Sequence, residues 1–176
     1  MPSAPDPLAP SDGIRIRSAR TADVRAMRAL VAPLAEQRVL LQKEAVAYYE
    51  SVADFVVAER DGVLVGCGAV HVLWEDLAEI RTLAVSQDVL GQGVGSQILD
   101  RLIARARELG VERLFCLTFE TAFFARHGFT PIEGQAVAPG VYAELLRSYD
   151  EGVAEFLDLE RVKPNTLGNT RMLRVL

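Results

Sequence analysis

The sequence predicts an α/β protein in which a mixed central sheet of about six to seven strands is flanked by helices. Three observations carry this expectation. Asp61-Gly62 separates two runs rich in β-branched residues, a tight-hairpin signal that implies antiparallel pairing. Gly91-Gln92-Gly93-Val94-Gly95-Ser96 lies between a strand-like run ending at Val85 and an amphipathic helical pattern over residues 97–109. Beyond it, helical and strand-like segments alternate to the end of the chain.

Taken in order, residues 1–13 hold four prolines and no apolar core, which reads as a flexible lead-in and not as a signal peptide. Residues 14–176 read as one domain. Ile14, Ile16 and Ala19 begin a short strand. Thr21 is placed to cap a helix, with Asp23 in its first turn and Val24, Met27, Leu30, Val31 and Leu34 on one face; Pro33 kinks or shortens it. Residues 37–43 mix apolar and basic side chains irregularly, and a second helix spans about 44–52. Strands follow over 55–59 and 63–74, the second interrupted by Gly66 and Gly68, a sign of a bulge or a close backbone approach. Residues 77–85 form the next strand. The 97–109 helix ends at Gly110, a natural residue for a left-handed helix stop. Then come a buried strand at 114–119, a short helix at 121–127 stopped by Gly128, a strand at 129–132, a helix over 141–157 that Gly152 can split, and a final strand at 171–176.

Bulk properties narrow the class. The chain has 176 residues, half of them apolar and 24% charged, enough for a hydrophobic core. A net charge of −5 argues against nucleic-acid binding. Cys67 and Cys116 are isolated, without metal-ligand spacing, and fit a reducing cytosol. No apolar run reaches the roughly 18 residues of a membrane span. The expectations are therefore a cytoplasmic protein with no metal, no nucleic-acid partner and no membrane partner.

The glycine segment carries the chemistry. Glycines allow close backbone approach, and a helix start behind them offers free N–H groups and a positive dipole end, an arrangement suited to phosphate or pyrophosphate. A P-loop would need Lys and then Ser or Thr after the last glycine, and Ser96-Gln97 supplies no Lys. A dinucleotide fold would open on its glycine loop; here a hairpin and a further strand come first.

With that loop and Phe123-Phe124-Ala125-Arg126-His127-Gly128-Phe129, residues 14–176 resemble the GCN5-related N-acetyltransferase (GNAT) superfamily. The resemblance implies a V-shaped cleft for acetyl-CoA. It implies cofactor contacts from Leu83, Ala84 and Val85, from Leu90, Gly91, Gln92, Gly93, Val94, Gly95 and Ser96, and from Phe123. Leu90 stands where the family usually has Arg or Gln, which removes a side-chain contact but keeps the backbone cradle. More specifically, Ala78-Glu79-Ile80-Arg81-Thr82-Leu83-Ala84-Val85, residues 114–119, His127-Gly128-Phe129-Thr130 and residues 163–173 resemble the short, stand-alone N-acetylglutamate synthases. That likeness implies acetyl transfer to the α-amine of L-glutamate, the opening step of arginine biosynthesis, with a homodimer as the default assembly. Glutamine or another small amine as acceptor, and a non-catalytic acetyl-CoA or amino-acid sensor, are the alternatives.

Acetyl transfer to an amine needs a base, since an ammonium has no lone pair. Glu79 is the candidate, in a strand where Leu77, Glu79, Arg81 and Leu83 are expected to share one face. Its apolar surroundings should raise its proton affinity, unless it and Arg81 merely neutralise each other on a solvated face. Lys43, Arg81 and Arg171 are the expected forks for the acceptor carboxylates. Many family members protonate the leaving thiolate with a Tyr; this chain has Phe123-Phe124 in that region, so no acid is assigned. Whether His71 shares a face with Glu79 depends on a strand register that the sequence leaves open.

Overall fold

The computed structural model describes residues 13–37, 40, 43–166 and 168–176. The lead-in expected over residues 1–13 falls almost wholly outside the described residues, as do residues 38, 39, 41 and 42 of the irregular stretch.

The described elements are β1 (Ile14–Ser18), α1 (Val24–Glu36), α2 (Ala45–Glu50), β2 (Phe55–Arg60), β3 (Val63–Trp74), β4 (Leu77–Val85) and α3 (Val94–Glu108). They continue with β5 (Arg113–Thr118), α4 (Thr121–Arg126), β6 (Thr130–Pro131), α5 (Pro139–Leu145), α6 (Glu151–Phe156), α7 (Lys163–Thr166) and β7 (Thr170–Val175). One seven-stranded sheet has the order β1-β2-β3-β4-β5-β7-β6. β1 to β4 form an antiparallel meander, and the β2–β3 turn uses positive φ at both Asp61 and Gly62, as a two-residue hairpin demands.

The β4–β5 junction shapes the cleft. The two strands run parallel and pair Leu77 with Arg113, Ala78 with Leu114 and Glu79 with Phe115; the pairing ends there. Past that point β5 pairs only with β7, so the C-terminal half of β4 and the end of β5 part into a V. This is the mixed, helix-flanked sheet expected.

Alternation along the strands sorts the core into layers. Val56 and Ala58 face α3 and meet Ile98, Leu99, Leu102 and Ala106. Phe55 and Val57 face α1 and α2 with Met27, Val31 and Tyr48. Leu77 and Phe115 face Val153 and Phe156 of α6 and Leu145 of α5. Gly66 and Gly68 combine both expected roles: β3 shifts register against its neighbours, and Ile98 of α3 lies so close that a Cβ would crowd it.

Four local expectations need correction. Thr21 does not cap α1; it begins a 3-10 turn, Thr21–Asp23, capped by Arg20, whose N–H donates to Asp23 at 2.7 Å. The helix behind the glycines begins within them, at Val94, because Gly93 itself takes the N-cap position. The 141–157 helix is two helices, and the break falls at 146–150, before Gly152: Asp150 caps α6 by accepting from the Val153 N–H. Leu83 does not share a face with Leu77, Glu79 and Arg81. Thr82 has φ +55°, and β4 spends three steps (Arg81 to Ala84) where β3 takes two (Ala69 to Cys67). This bulge turns Leu83 to the α3 side, against Ile98 and Leu102.

Candidate active site

A cavity of about 670 Å³ opens where β4 and β5 part. At one end it is lined by Leu83, Phe119, Phe123 and Phe124, at the other by Lys43, His71, Glu79, Arg81, Asp150 and Glu155. The first end adjoins the glycine loop: the Phe123 ring lies 3.6 Å from where a Cβ on Gly95 would sit.

The loop has the geometry of an anion cradle. Gly91 and Gly93 take φ of +76° and +80°, and the space beside both Cα atoms is open. Gly93 has no capping side chain, so the first-turn N–H groups of α3 are left for a ligand. The Arg60 guanidinium donates to Gln92 Oε1 at 2.8 Å and ties the loop to β2. Leu90 is exposed. Among the described residues nothing lies within 4 Å of where a Cβ on Gly91 or Gly93 would sit, so the residues present fit a phosphate-bearing group.

The polar end is built by β3, β4 and α6. Register sets His71 of β3 directly opposite Glu79 of β4, so the two share a face. Glu79 is 3% exposed, and its Oε2 accepts from Arg81 Nε at 3.0 Å and Nη2 at 2.5 Å. Arg81 also donates to both carboxylate oxygens of Asp150, at 2.8 and 3.0 Å. Glu79 and Arg81 thus do pair, but buried in the cavity wall and not on a solvated face. Burial opposes the charge on Arg81, and the two carboxylates more than offset it, raising its pKa. Burial likewise opposes ionisation of Asp150, yet Arg81 pulls its pKa down to about 2. His71 Nδ1 lies 2.6 Å from Asp54, which fixes the ring, and its Nε2 faces Asp150 at 3.8 Å.

Gly152 lets α6 sit on this pair. A Cβ there would overlap Glu79 Oε2 and approach Arg81 Nη2 to 2.5 Å. One turn further on, Glu155 is 8% exposed and lines the cavity. Burial first, and then the charge of Glu79, push its pKa up to about 8.

Lys43 lines the cavity and donates to Thr82 Oγ1 at 3.3 Å. Among the described residues it has no carboxylate within ion-pair distance. Burial, aided by the charge on Arg81, lowers its pKa. Arg171 lies outside the cavity lining. It donates to the Gly134 carbonyl at 3.1 Å and to the Phe156 carbonyl at the end of α6, which ties β7 to that helix. Cys116 is buried with its thiol pKa raised, which is no setting for a nucleophile. Groups of His, Cys, Asp and Glu able to hold a metal do not occur among the described residues.

Sequence reasoning missed Asp54, Asp150, Gly152 and Glu155. A signal existed for Glu155: it is the lone carboxyl inside Val153-Ala154-Glu155-Phe156-Leu157, a run otherwise destined for burial.

Comparison with known proteins agrees with this geometry. Residues 24–129 match the model of the Acetyltransferase (GNAT) family. An amino-acid acetyltransferase of Mycobacterium tuberculosis is 57% identical over 164 residues, spanning 92% of this chain and 94% of its own length. The crystal structure of Rv2747 from the same organism, in complex with CoA and NLQ, superposes with a TM-score of 0.89 over 92% of this chain and 99% of that one, at 57% identity. N-acetylglutamate synthase from Neisseria gonorrhoeae, complexed with coenzyme A and N-acetyl-glutamate, gives a TM-score of 0.75 at 28% identity; it aligns with 96% of this chain, which spans only 36% of that longer protein.

Proposed function

Since the chain belongs to the GNAT family of acetyltransferases, we propose that it moves an acetyl group from acetyl-CoA to the α-amine of an amino acid, L-glutamate foremost. The observation that carries the reading is one continuous cavity that runs from beside the glycine cradle to the charged cluster of Lys43, Glu79, Arg81, Asp150 and Glu155. A cofactor held by its phosphates at one end and an amine held by carboxylates at the other would meet at the parting of β4 and β5.

In this reading the first-turn N–H groups of α3 and the Gly91 and Gly93 backbone receive the pyrophosphate. Leu83, Val85 and Phe123 flank the path of the thioester, on the α3 side of the bulge. The ammonium of the acceptor is drawn to the carboxylate wall, where Glu79 is the proposed base. Lys43 is the proposed partner of an acceptor carboxylate, a charge-assisted bond strengthened by its burial. Likeness to amino-acid acetyltransferases, one of them complexed with N-acetyl-glutamate, supports glutamate.

A second acceptor has one observation in its favour. Arg81 is already engaged by Glu79 and Asp150, which leaves Lys43 as the cavity cation free of a carboxylate among the described residues. One free cation matches one acceptor carboxylate, as in glutamine. Incubation with acetyl-CoA and an equimolar mixture of amino acids, followed by mass spectrometry of the products, decides between them. N-acetylglutamate as the main product supports the first reading, and N-acetylglutamine the second. An untouched mixture overturns both.

A further inference from the structure

We propose that Glu155 is a second catalytic carboxyl of this pocket, the group on which the acceptor's ammonium proton comes to rest while Glu79 holds the ammonium in place. This rests on the amino-acid acetyltransferase reading above, and it divides between two residues a role there given to Glu79 alone.

The geometry supplies the first reasons. Both Arg81 bonds to Glu79 fall on Oε2, and the same guanidinium clamps Asp150. Protonating Glu79 would weaken a buried ion pair, so it is better suited to attract a cation than to neutralise itself. Glu155 is differently placed. It lines the same cavity one helical turn beyond Gly152, the residue seated against Glu79, and its carboxyl makes no hydrogen bond to another described residue. The charged groups acting on it are known. Glu79 on β4 and Glu151 on its own helix disfavour its ionisation; Arg81 on β4 and Lys43 favour it. With burial added, its pKa reaches about 8. Two carboxyls in one pocket, one held by Arg81 and the other without a hydrogen-bonded partner among the described residues, are the arrangement that separates an electrostatic role from a proton-transfer role.

The Glu155 carboxylate takes one proton from the α-ammonium and becomes a carboxylic acid. The freed nitrogen lone pair attacks the thioester carbonyl, the C–N bond forms and the C–S bond breaks. CoA leaves as a thiolate, and the second proton on nitrogen, now acidic, passes to that thiolate, directly or through solvent, to give the CoA thiol. Glu155 returns its proton to solvent, so one proton is released per amide formed. The active form of Glu155 is the ionised one, so activity grows as pH rises through about 8.

The test joins kinetics with a spectroscopic titration of the whole protein. Infrared spectra of the parent should contain a protonated-carboxyl C=O band at pH 7, where exposed carboxyls are ionised. The band should fade through pH 8 and be missing from Glu155→Gln. That variant should bind CoA as the parent does, lose about 100-fold in turnover and lose the enzyme's ionisation near pH 8 from its kcat/KM profile. Glu155→Asp, which keeps a carboxyl, should restore the ionisation at a reduced rate, and it serves if the Gln variant fails to fold. Absence of the band, or a Glu155→Gln protein with parental rate and pH profile beside an inactive Glu79→Gln, would leave Glu79 as sole base and overturn the proposal without touching the function. A parent that acetylates no amino acid overturns the reading beneath it, and the proposal with it.

Discussion

Arg81 on β4 grips Asp150 at the head of α6 with two parallel bonds, Nη1 to Oδ2 at 3.0 Å and Nη2 to Oδ1 at 2.8 Å. The same carboxylate caps α6 by accepting from Val153 N–H. One side chain therefore fixes both the start of the helix and its seat on the sheet, and through that seat the position of Glu155.

Asp150 should make the fold sensitive to acid. Its folded-state pKa is lowered to about 2, so its stabilisation is present above the ordinary carboxylate range and is lost as pH falls through about 2. Asp150→Asn should cost about 1–2 kcal/mol at pH 7, allowing for the partial exposure of the side chain. Thermal melts at several pH values check this: the gap in Tm between parent and variant should close on approach to pH 2.

Gly152→Ala should damage the site although Ala favours helix. The added methyl would displace the buried Glu79–Arg81 pair, at an overpacking cost of about 1–3 kcal/mol. Gly140→Ala in α5 meets open space and should be neutral or stabilising. Denaturant titration of the two variants measures the contrast. Equal stabilities would show that α6 does not need its close seat.

Gly93 and Gly95 should differ. Gly93 has φ +80°, which a branched residue resists, so Gly93→Val should distort the cradle and weaken CoA binding at least tenfold. A Cβ on Gly95 meets Phe123 and Val85 at ordinary contact distance, so Gly95→Ala should bind CoA nearly as the parent does. Calorimetry with CoA reads both, and parental affinity in a folded Gly93→Val protein would remove the cradle from the account.

Lys43→Ala should raise KM for the acceptor by about 10- to 150-fold, the loss of a charge-assisted bond worth about 1.5–3 kcal/mol, with KM for acetyl-CoA unchanged. Arg171→Ala should instead lower stability, because its partners are the Gly134 and Phe156 carbonyls. Steady-state kinetics paired with melts separates the two effects. A rise in acceptor KM on Arg171→Ala with stability intact would return Arg171 to the substrate site.

What the sequence made legible was local. The Asp61-Gly62 hairpin, the bounds of β3 and β4, the glycine loop and the apolar face of α3 all follow from short-range periodicity and turn chemistry. The polar end of the cavity depends on distant pieces of chain meeting. His71 faces Glu79 only because of a register set by the whole meander. Leu83 changes face because Thr82 adopts a positive φ that its residue type does not announce. Asp150, Gly152 and Glu155 are ordinary helix-terminus residues until α6 is docked on β4, some 70 positions earlier in the chain. Gly152, read from sequence as a helix breaker, is instead the point of closest approach.

The most direct test of the central claim is the initial rate of thiol release from acetyl-CoA with L-glutamate, L-glutamine and a cationic amine in parallel. The account predicts saturable release with a carboxylate-bearing amino acid, one thiol for each N-acetyl product, and little above background with the cationic amine. Preference for the cationic amine, or no release above background with any amino acid, would contradict it.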